Sequence, residues 1–308
     1  MGHLVLVTGT SSGIGLTTAV ACAAAGHRVI ATMRNPDRRE ALEAAAKARG
    51  CTLEIEQLDV TAGGVQEKVK ELILKYGPIF AVVNNAGIAI GGAFEEQSEQ
   101  DVRAQFETNV FGVMAVTRAL LPSMRAAGRG RIINVSSISG LVGFPGLSIY
   151  AATKHAVEGF SEGLRWEVEP FGIDVCLVEP GTFRTAIFFE NQRRVAGTEP
   201  GGPYGAMTDV VERLALEDAA KAPPPDAVAQ AVLRLIDAAF PRFRTLVGRD
   251  ARALAALRRV VPDRLFAVGV RRVLASRSEA PGPGLSPGPR IAPGGKGAPP
   301  PPMSPRVR

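Results

Sequence analysis

A doubly wound parallel α/β sheet with helices on both faces is the fold class the sequence predicts, on three observations. Short apolar runs recur along the chain and are continuous rather than alternating, as strands buried on both faces read. Segments of helical length and pattern separate them, the signature of βαβ units. A cluster of glycines closes the first apolar run where the first helix must begin.

Residues 4–8 (LVLVT) form the first strand, ended by Gly9, and an alanine-rich helix over 15–25 is closed by Gly26. Residues 28–32 (RVIAT) read as a strand, 38–48 as a helix, 52–58 as a strand, 64–76 as a helix and 79–83 (IFAVV) as the fourth strand. A long helix over 99–126, a strand 131–135 (RIINV), a helix over 150–170 and a strand 173–178 (IDVCLV) continue the rhythm. A helix over 226–239 follows three prolines, with Asp226 as its N-cap, and 243–247 (FRTLV) closes the sheet. The insertion 183–222 carries Gly, Pro and the bulky Phe183, Ile187, Phe188 and Phe189, which reads as a functional lid. Residues 249–277 read as two arginine-rich helices split at Pro262. Residues 280–308 hold 10 Pro and 6 Gly in 29 positions, a composition that cannot bury a core and predicts disorder. The predicted organisation is a Rossmann-type domain over 1–248, a basic helical extension over 249–279 and a disordered tail over 280–308.

The 308-residue chain carries 36 Lys+Arg and 30 Asp+Glu, a net charge of +6 and a pI near 9.5. Such a pI raises a nucleic-acid partner, but the charge is unevenly placed. Residues 242–308 hold 14 basic and 3 acidic residues (+11), which leaves 22 basic and 27 acidic (−5) for 1–241. The extension has few aromatics for base stacking, so no nucleic-acid partner is expected. Its basic, apolar helices read as a solvated pair packing on the body by their apolar faces, with peripheral membrane contact through 249–277 as the alternative. Three cysteines, Cys22, Cys51 and Cys176, form no CxxC pair. Neither a disulfide framework nor a metal site is expected, and with no leader-like segment the chain reads as cytoplasmic. No apolar run is long enough to span a membrane.

The turn Gly9-Thr10-Ser11-Ser12-Gly13-Ile14-Gly15 lies between the first strand and the first helix. Glycines there let the backbone approach a pyrophosphate, and the helix N-terminus offers N–H groups and a positive dipole end. Gly9, Ser11, Ser12, Gly13, Ile14 and Gly15 are therefore candidate cofactor-binding residues. The spacing is GxxxGxG rather than GxGxxG.

Asn84-Asn85-Ala86-Gly87 follows the fourth strand, Ser137 stands 13 residues before Tyr150, Tyr150-Ala-Ala-Thr-Lys154 opens a helix and Pro180-Gly181 follows the sixth strand. With these four in order after the glycine turn, the chain resembles the short-chain dehydrogenases/reductases in their compact single-domain branch, over about residues 3–250, through that family's NNAG motif, catalytic serine, YxxxK pair and PG motif. The wording VIATMR and YAATKHAVEGF is similar to the retinol and 17β-hydroxysteroid dehydrogenase-like subgroup. The resemblance implies an oxidoreductase interconverting an alcohol and its carbonyl on a lipophilic substrate of retinoid, steroid or fatty-carbonyl type. It assigns catalysis to Asn109, Ser137, Tyr150 and Lys154, with Asn109 organising a water that links Lys154 to solvent. Asp59 with Val60, Asn85, Ala86, Gly87, Pro180 and Gly181 become cofactor contacts, as do Thr182 and Thr185 and the catalytic Tyr150 and Lys154. Homodimers or homotetramers paired through 99–126 and 150–170 are also implied. The alternative is a regulatory or membrane-associated nucleotide-binding protein without turnover.

The chemistry also follows from the residues. A phenol with a reference pKa near 10 is too weak an acid for work at neutral pH. Lys154 is four residues on, on the same helix face, and its ammonium is expected to lower the Tyr150 pKa. The end of the second strand, Ala31-Thr32-Met33-Arg34, lacks the acid that bonds a ribose 2′-OH. Arg34 suits a 2′-phosphate instead, so NADP(H) is expected rather than NAD(H).

Overall fold

The structure, a computed structural model, describes residues 2–184, 193–194 and 202–276. Seven parallel strands form one sheet: β1 Leu4–Thr8, β2 Arg28–Met33, β3 Glu54–Gln57, β4 Ala81–Asn84, β5 Gly130–Val135, β6 Ile173–Pro180 and β7 Arg244–Val247. Their spatial order is β3-β2-β1-β4-β5-β6-β7. The order reverses between β1 and β4, and such a switch opens a crevice at the carboxyl ends of the strands.

The helices are α1 Gly13–Ala24, α2 Glu40–Ala48, α3 Val65–Tyr76, α4 Glu99–Phe106, α5 Gly112–Ala126, α6 Ser148–Val168, α7 Gly205–Lys221, α8 Asp226–Asp237, α9 Arg249–Val260 and α10 Asp263–Ser276. Alternation along the strands sends successive side chains to opposite faces. Val5 and Val7 pack with Ala19 and Cys22 of α1 and Val228 and Val232 of α8. Leu4 and Leu6 pack on the other face with Val69 of α3, Leu120 of α5 and Leu164 of α6. Both sheet faces are thus covered, which is why the strand sequences are continuously apolar.

The predicted helix over 99–126 is interrupted by a π-helical turn at Glu107–Phe111. Such turns occur at functional sites, and this one carries Asn109. Within the predicted lid the structure forms α7, where a run of strong helix formers (Glu212, Leu214, Ala215, Leu216, Glu217) outweighs the flanking Gly and Pro. Ile187, Phe188, Phe189, Thr185 and the predicted tail 280–308 lie outside the described residues. Among the described residues no helix is long and apolar enough to cross a membrane.

Candidate active site

The nucleotide end is built from β1, α1 and the loop after β4. Gly9 (φ +69°) and Gly13 (φ +58°) are left-handed, where a side chain would be strained. A Cβ on Gly9 would lie 2.8 Å from Ala86 Cα, and one on Gly15 would run into the Gly9 carbonyl and the Asn85 amide. The loop is locked by side chains: Asn85 Nδ2 donates to the carbonyls of Thr8 (2.9 Å) and Gly9 (3.0 Å), while Asn85 N and Ala86 N donate to Thr8 Oγ1 (3.0 Å each). Ser12 caps α1 with no side-chain hydrogen bond, and no acid occupies its first turn. An anion can therefore meet the first-turn N–H groups. Gly15→Ala is expected to weaken nucleotide binding by more than about tenfold, read by titration of nicotinamide-nucleotide fluorescence, because the new methyl collides with the Gly9 backbone carbonyl as well as with the hydrogen-bonded Asn85 amide.

One cleft of about 760 Å³ joins this loop to the predicted catalytic residues. Gly9, Ser11, Ser12, Gly13, Ile14 and Gly15 line it, as do Asn85, Ala86 and Gly87. So do Asp59 and Val60, and at the far end Pro180 and Gly181. The Asp59 carboxylate is held by Thr61, whose N (3.0 Å) and Oγ1 (2.8 Å) both donate to its Oδ1. Arg34 lines the cleft at the end of β2 together with Arg38, which sequence reasoning missed although it stands four residues away in the same basic stretch. Thr182 does not line the cleft: its N–H donates to Asp250 Oδ2 at 2.6 Å, from the first turn of α9. The arginine-rich extension therefore touches the cofactor loop.

At the other end Ser137, Tyr150 and Lys154 line the same cleft, and Asn109 sits just behind it. Tyr150 and Lys154 are buried on α6, and Lys154 Nζ lies 5.6 Å from the Tyr150 ring centroid. Lys154 Nζ donates to the Val135 carbonyl at 2.9 Å, which anchors it to the end of β5. The expected lowering of the Tyr150 pKa by Lys154 is not what governs. Burial pushes the phenol up to about 12, opposed by a hydrogen bond with Ser137. Burial also brings Lys154 down to about 8, opposed by the nearby Glu158 carboxylate. Desolvation governs both because both side chains are buried, although they border the cleft. Both Asn109 amide hydrogens are taken by protein partners, and one acceptor lone pair of its Oδ1 is left. Its Oδ1 accepts from Ile88 N (2.9 Å), and its Nδ2 donates to Ile88 O (2.9 Å) and Thr153 Oγ1 (3.0 Å). Thr153 in turn donates to Tyr150 O (2.7 Å), so Asn109 positions the tyrosine turn of α6 against the loop after β4.

Beneath Lys154 lies a charged cluster the sequence reading did not single out. Glu158 follows Lys154 by one helical turn, and Glu179 immediately precedes Pro180-Gly181. Both are buried. Arg244 on β7 pairs with Glu158, with Glu179 (2.9 Å) and with the exposed Glu162 (3.1 Å). Burial raises the Glu158 carboxyl, against opposing contacts from Ser136 and Arg244. Burial and the Glu158 charge raise Glu179 to about 7. The i, i+4, i+8 spacing of Tyr150, Lys154 and Glu158 was the available signal.

Phe183, at the start of the predicted lid, is buried and lines the cleft, as do Ile88 and Ile90. Leu141, Phe144 and Leu147 are half-buried and do not line it.

Comparison with known proteins agrees with this geometry. The family model described as short chain dehydrogenase matches residues 3–195. An uncharacterized oxidoreductase, YusZ of Bacillus subtilis, is 49% identical over 60% of this chain and 66% of its own length. A 3-ketodihydrosphingosine reductase of Bacteroides thetaiotaomicron is 36% identical over 89% of this chain and 99% of its own. Retinol dehydrogenase 8 of Bos taurus is 34% identical over 84% and 86%. Among solved structures, a short-chain dehydrogenase from Streptomyces avermitilis has a TM-score of 0.74 at 36% identity, over 91% of this chain and 98% of that one. One from Sphingobium yanoikuyae in complex with NADPH has a TM-score of 0.64 at 28% identity, over 89% and 95%. A Burkholderia phymatum enzyme in complex with NAD has the same fold, with a TM-score of 0.73 at 24% identity over 88% and 95%. With the glycine cradle, the NNAG loop and the Ser137–Tyr150–Lys154 group on one cleft, this chain belongs to the short-chain dehydrogenases/reductases, oxidoreductases that act on CH–OH donors with a nicotinamide nucleotide.

Proposed function

We propose that this protein is an NADP(H)-dependent reductase of lipophilic carbonyl compounds, with Tyr150 as the proton donor. The observation that carries the reading is a single cleft with Arg34 and Arg38 at one end and Ser137, Tyr150 and Lys154 at the other. The glycine cradle leaves room for a pyrophosphate, and the arginines offer planar cations to a 2′-phosphate. Hydride exchange is the chemistry a bound nicotinamide nucleotide supplies. The rest falls to the chain. Ser137 donates a hydrogen bond to the substrate oxygen, and Tyr150, which keeps its proton at neutral pH, delivers it to that oxygen. Lys154, an ammonium below about pH 8, steadies the phenolate left behind. Asn109 positions this group through Thr153.

A lipophilic substrate is favoured by Phe183, Ile88 and Ile90 on the cleft and by the two relatives named for 3-ketodihydrosphingosine and for retinol. In this reading 1–248 form the catalytic domain, in the cytoplasm, with pairing of subunits through α4–α6, and 249–279 and 280–308 are appendages. Arg34→Ala and Arg38→Ala are each expected to raise the Kd for NADPH about tenfold and to leave that for NADH unchanged, as measured by fluorescence titration. Equal weakening toward both nucleotides would remove the 2′-phosphate role.

A further inference from the structure

We infer that the consecutive helices α9 and α10 form a docking surface for an anionic lipid membrane, set beside the substrate cleft. Both helices follow β7, so they leave the sheet at the carboxyl ends of its strands, the side on which the cleft lies. There α9 adjoins the Ile138–Gly140 turn directly after Ser137, and α10 adjoins α7. Their outer faces combine two features. Leu257 (47% exposed) and Val260 (76%) on α9, and Leu265 (64%) and Val268 (41%) on α10, stand in solvent. The α9 pair lies among the exposed Arg252, Arg258 and Arg259, and the α10 pair among Arg264, Arg271 and Arg272.

The charge singles out the occupant. Residues 249–276 hold seven arginines and two aspartates, a net of +5. Both aspartates are engaged: Asp250 accepts from Thr182 N, and Asp263 pairs with Arg258 at 2.5 Å. A second copy of this face, placed symmetrically, would bring like charges together. The tail 280–308 holds four basic and no acidic residues and few bulky apolar ones, so it is a poor cover. Arginines around short apolar side chains on helices lying along a surface match a bilayer interface bearing negative headgroups. The placement would bring the cleft to where a lipophilic carbonyl is dissolved. The inference goes beyond the proposed reaction and does not depend on it.

The test is co-sedimentation of the full chain, without substrate, with vesicles of phosphatidylcholine alone or mixed with phosphatidylserine. Two variants accompany it: Leu257→Ser/Val260→Ser/Leu265→Ser/Val268→Ser, and Arg259→Gln/Arg264→Gln/Arg271→Gln/Arg272→Gln. Both change exposed side chains, and an unchanged Tm serves as the control for folding. Wild type is expected to bind the mixed vesicles more than about tenfold more strongly than the neutral ones, and less so as salt rises. Each variant is expected to lose that binding by about tenfold or more. The inference is overturned if wild type stays in the supernatant with mixed vesicles, or if the serine variant sediments as wild type does. It is equally overturned if wild type self-associates through this face, as seen by light scattering, in place of binding vesicles. Turnover is not measured, so failure here leaves the reductase reading intact.

Discussion

Tyr150→Phe is expected to lower kcat for carbonyl reduction by about 10³-fold, with the Kd for NADPH changed by no more than about threefold. The ring stays buried in the same packing, and only the hydroxyl is lost. That hydroxyl is the one proton donor among the predicted catalytic residues that burial keeps protonated well above neutrality, at about 12. The pH dependence of the wild type follows from its partner. Lys154 has its pKa lowered to about 8, so its ammonium is present below that value and lost above it. The reduction rate constant is expected to fall as pH rises through about 8, with no matching change in NADPH affinity at the arginine end. Steady-state kinetics across pH, with nucleotide titration alongside, measures both.

Arg244→Met is expected to destabilise the protein by about 3 kcal/mol at pH 8, a loss of roughly 6–12 °C in Tm, and by about half as much at pH 5. The substitution retains the apolar stem and removes the cation shared by two buried carboxylates, Glu158 and Glu179. The sign follows from linkage. Glu179 is raised to about 7, above the ordinary 4.5, so the folded state takes up a proton that the unfolded chain does not hold between those values. Its contribution to stability is complete below the unfolded value and is lost as pH rises through about 7. Glu158 is raised in the same direction. Without Arg244 both shift further upward, so the penalty grows with pH. Differential scanning fluorimetry at the two pH values reads it, and a penalty that stays flat with pH would mean that Arg244 does not set the protonation of Glu158 and Glu179.

The sheet was legible because its strands are buried on both faces and its residues say so: LVLVT, RVIAT and IDVCLV admit little else. The glycine loop was legible for the same kind of reason, since only glycine fits where Gly9 meets Ala86 and Gly15 meets Asn85. What the sequence hid depends on tertiary enclosure. Nothing in a Tyr-x-x-x-Lys spacing reveals that burial drives the two pKa values apart, the phenol upward and the ammonium downward. The π-helical turn that carries Asn109 has no period of its own in an otherwise regular helix pattern. The meeting of Asp250 with Thr182 joins residues 68 positions apart, and that of Arg244 with Glu158 joins residues 86 apart. A local reading cannot pair them. The +11 of the last stretch was legible as an appendage, yet its first helix holds the cofactor loop through Asp250.

The most direct test of the central claim is nicotinamide absorbance followed while the full chain acts on a panel of long-chain and cyclic ketones and aldehydes, with NADPH and NADH in parallel. The expected result is NADPH consumption with at least one lipophilic carbonyl, at a kcat/KM more than about tenfold that with NADH and abolished by Tyr150→Phe. Consumption that persists in the tyrosine variant, or a preference for NADH, would contradict the account.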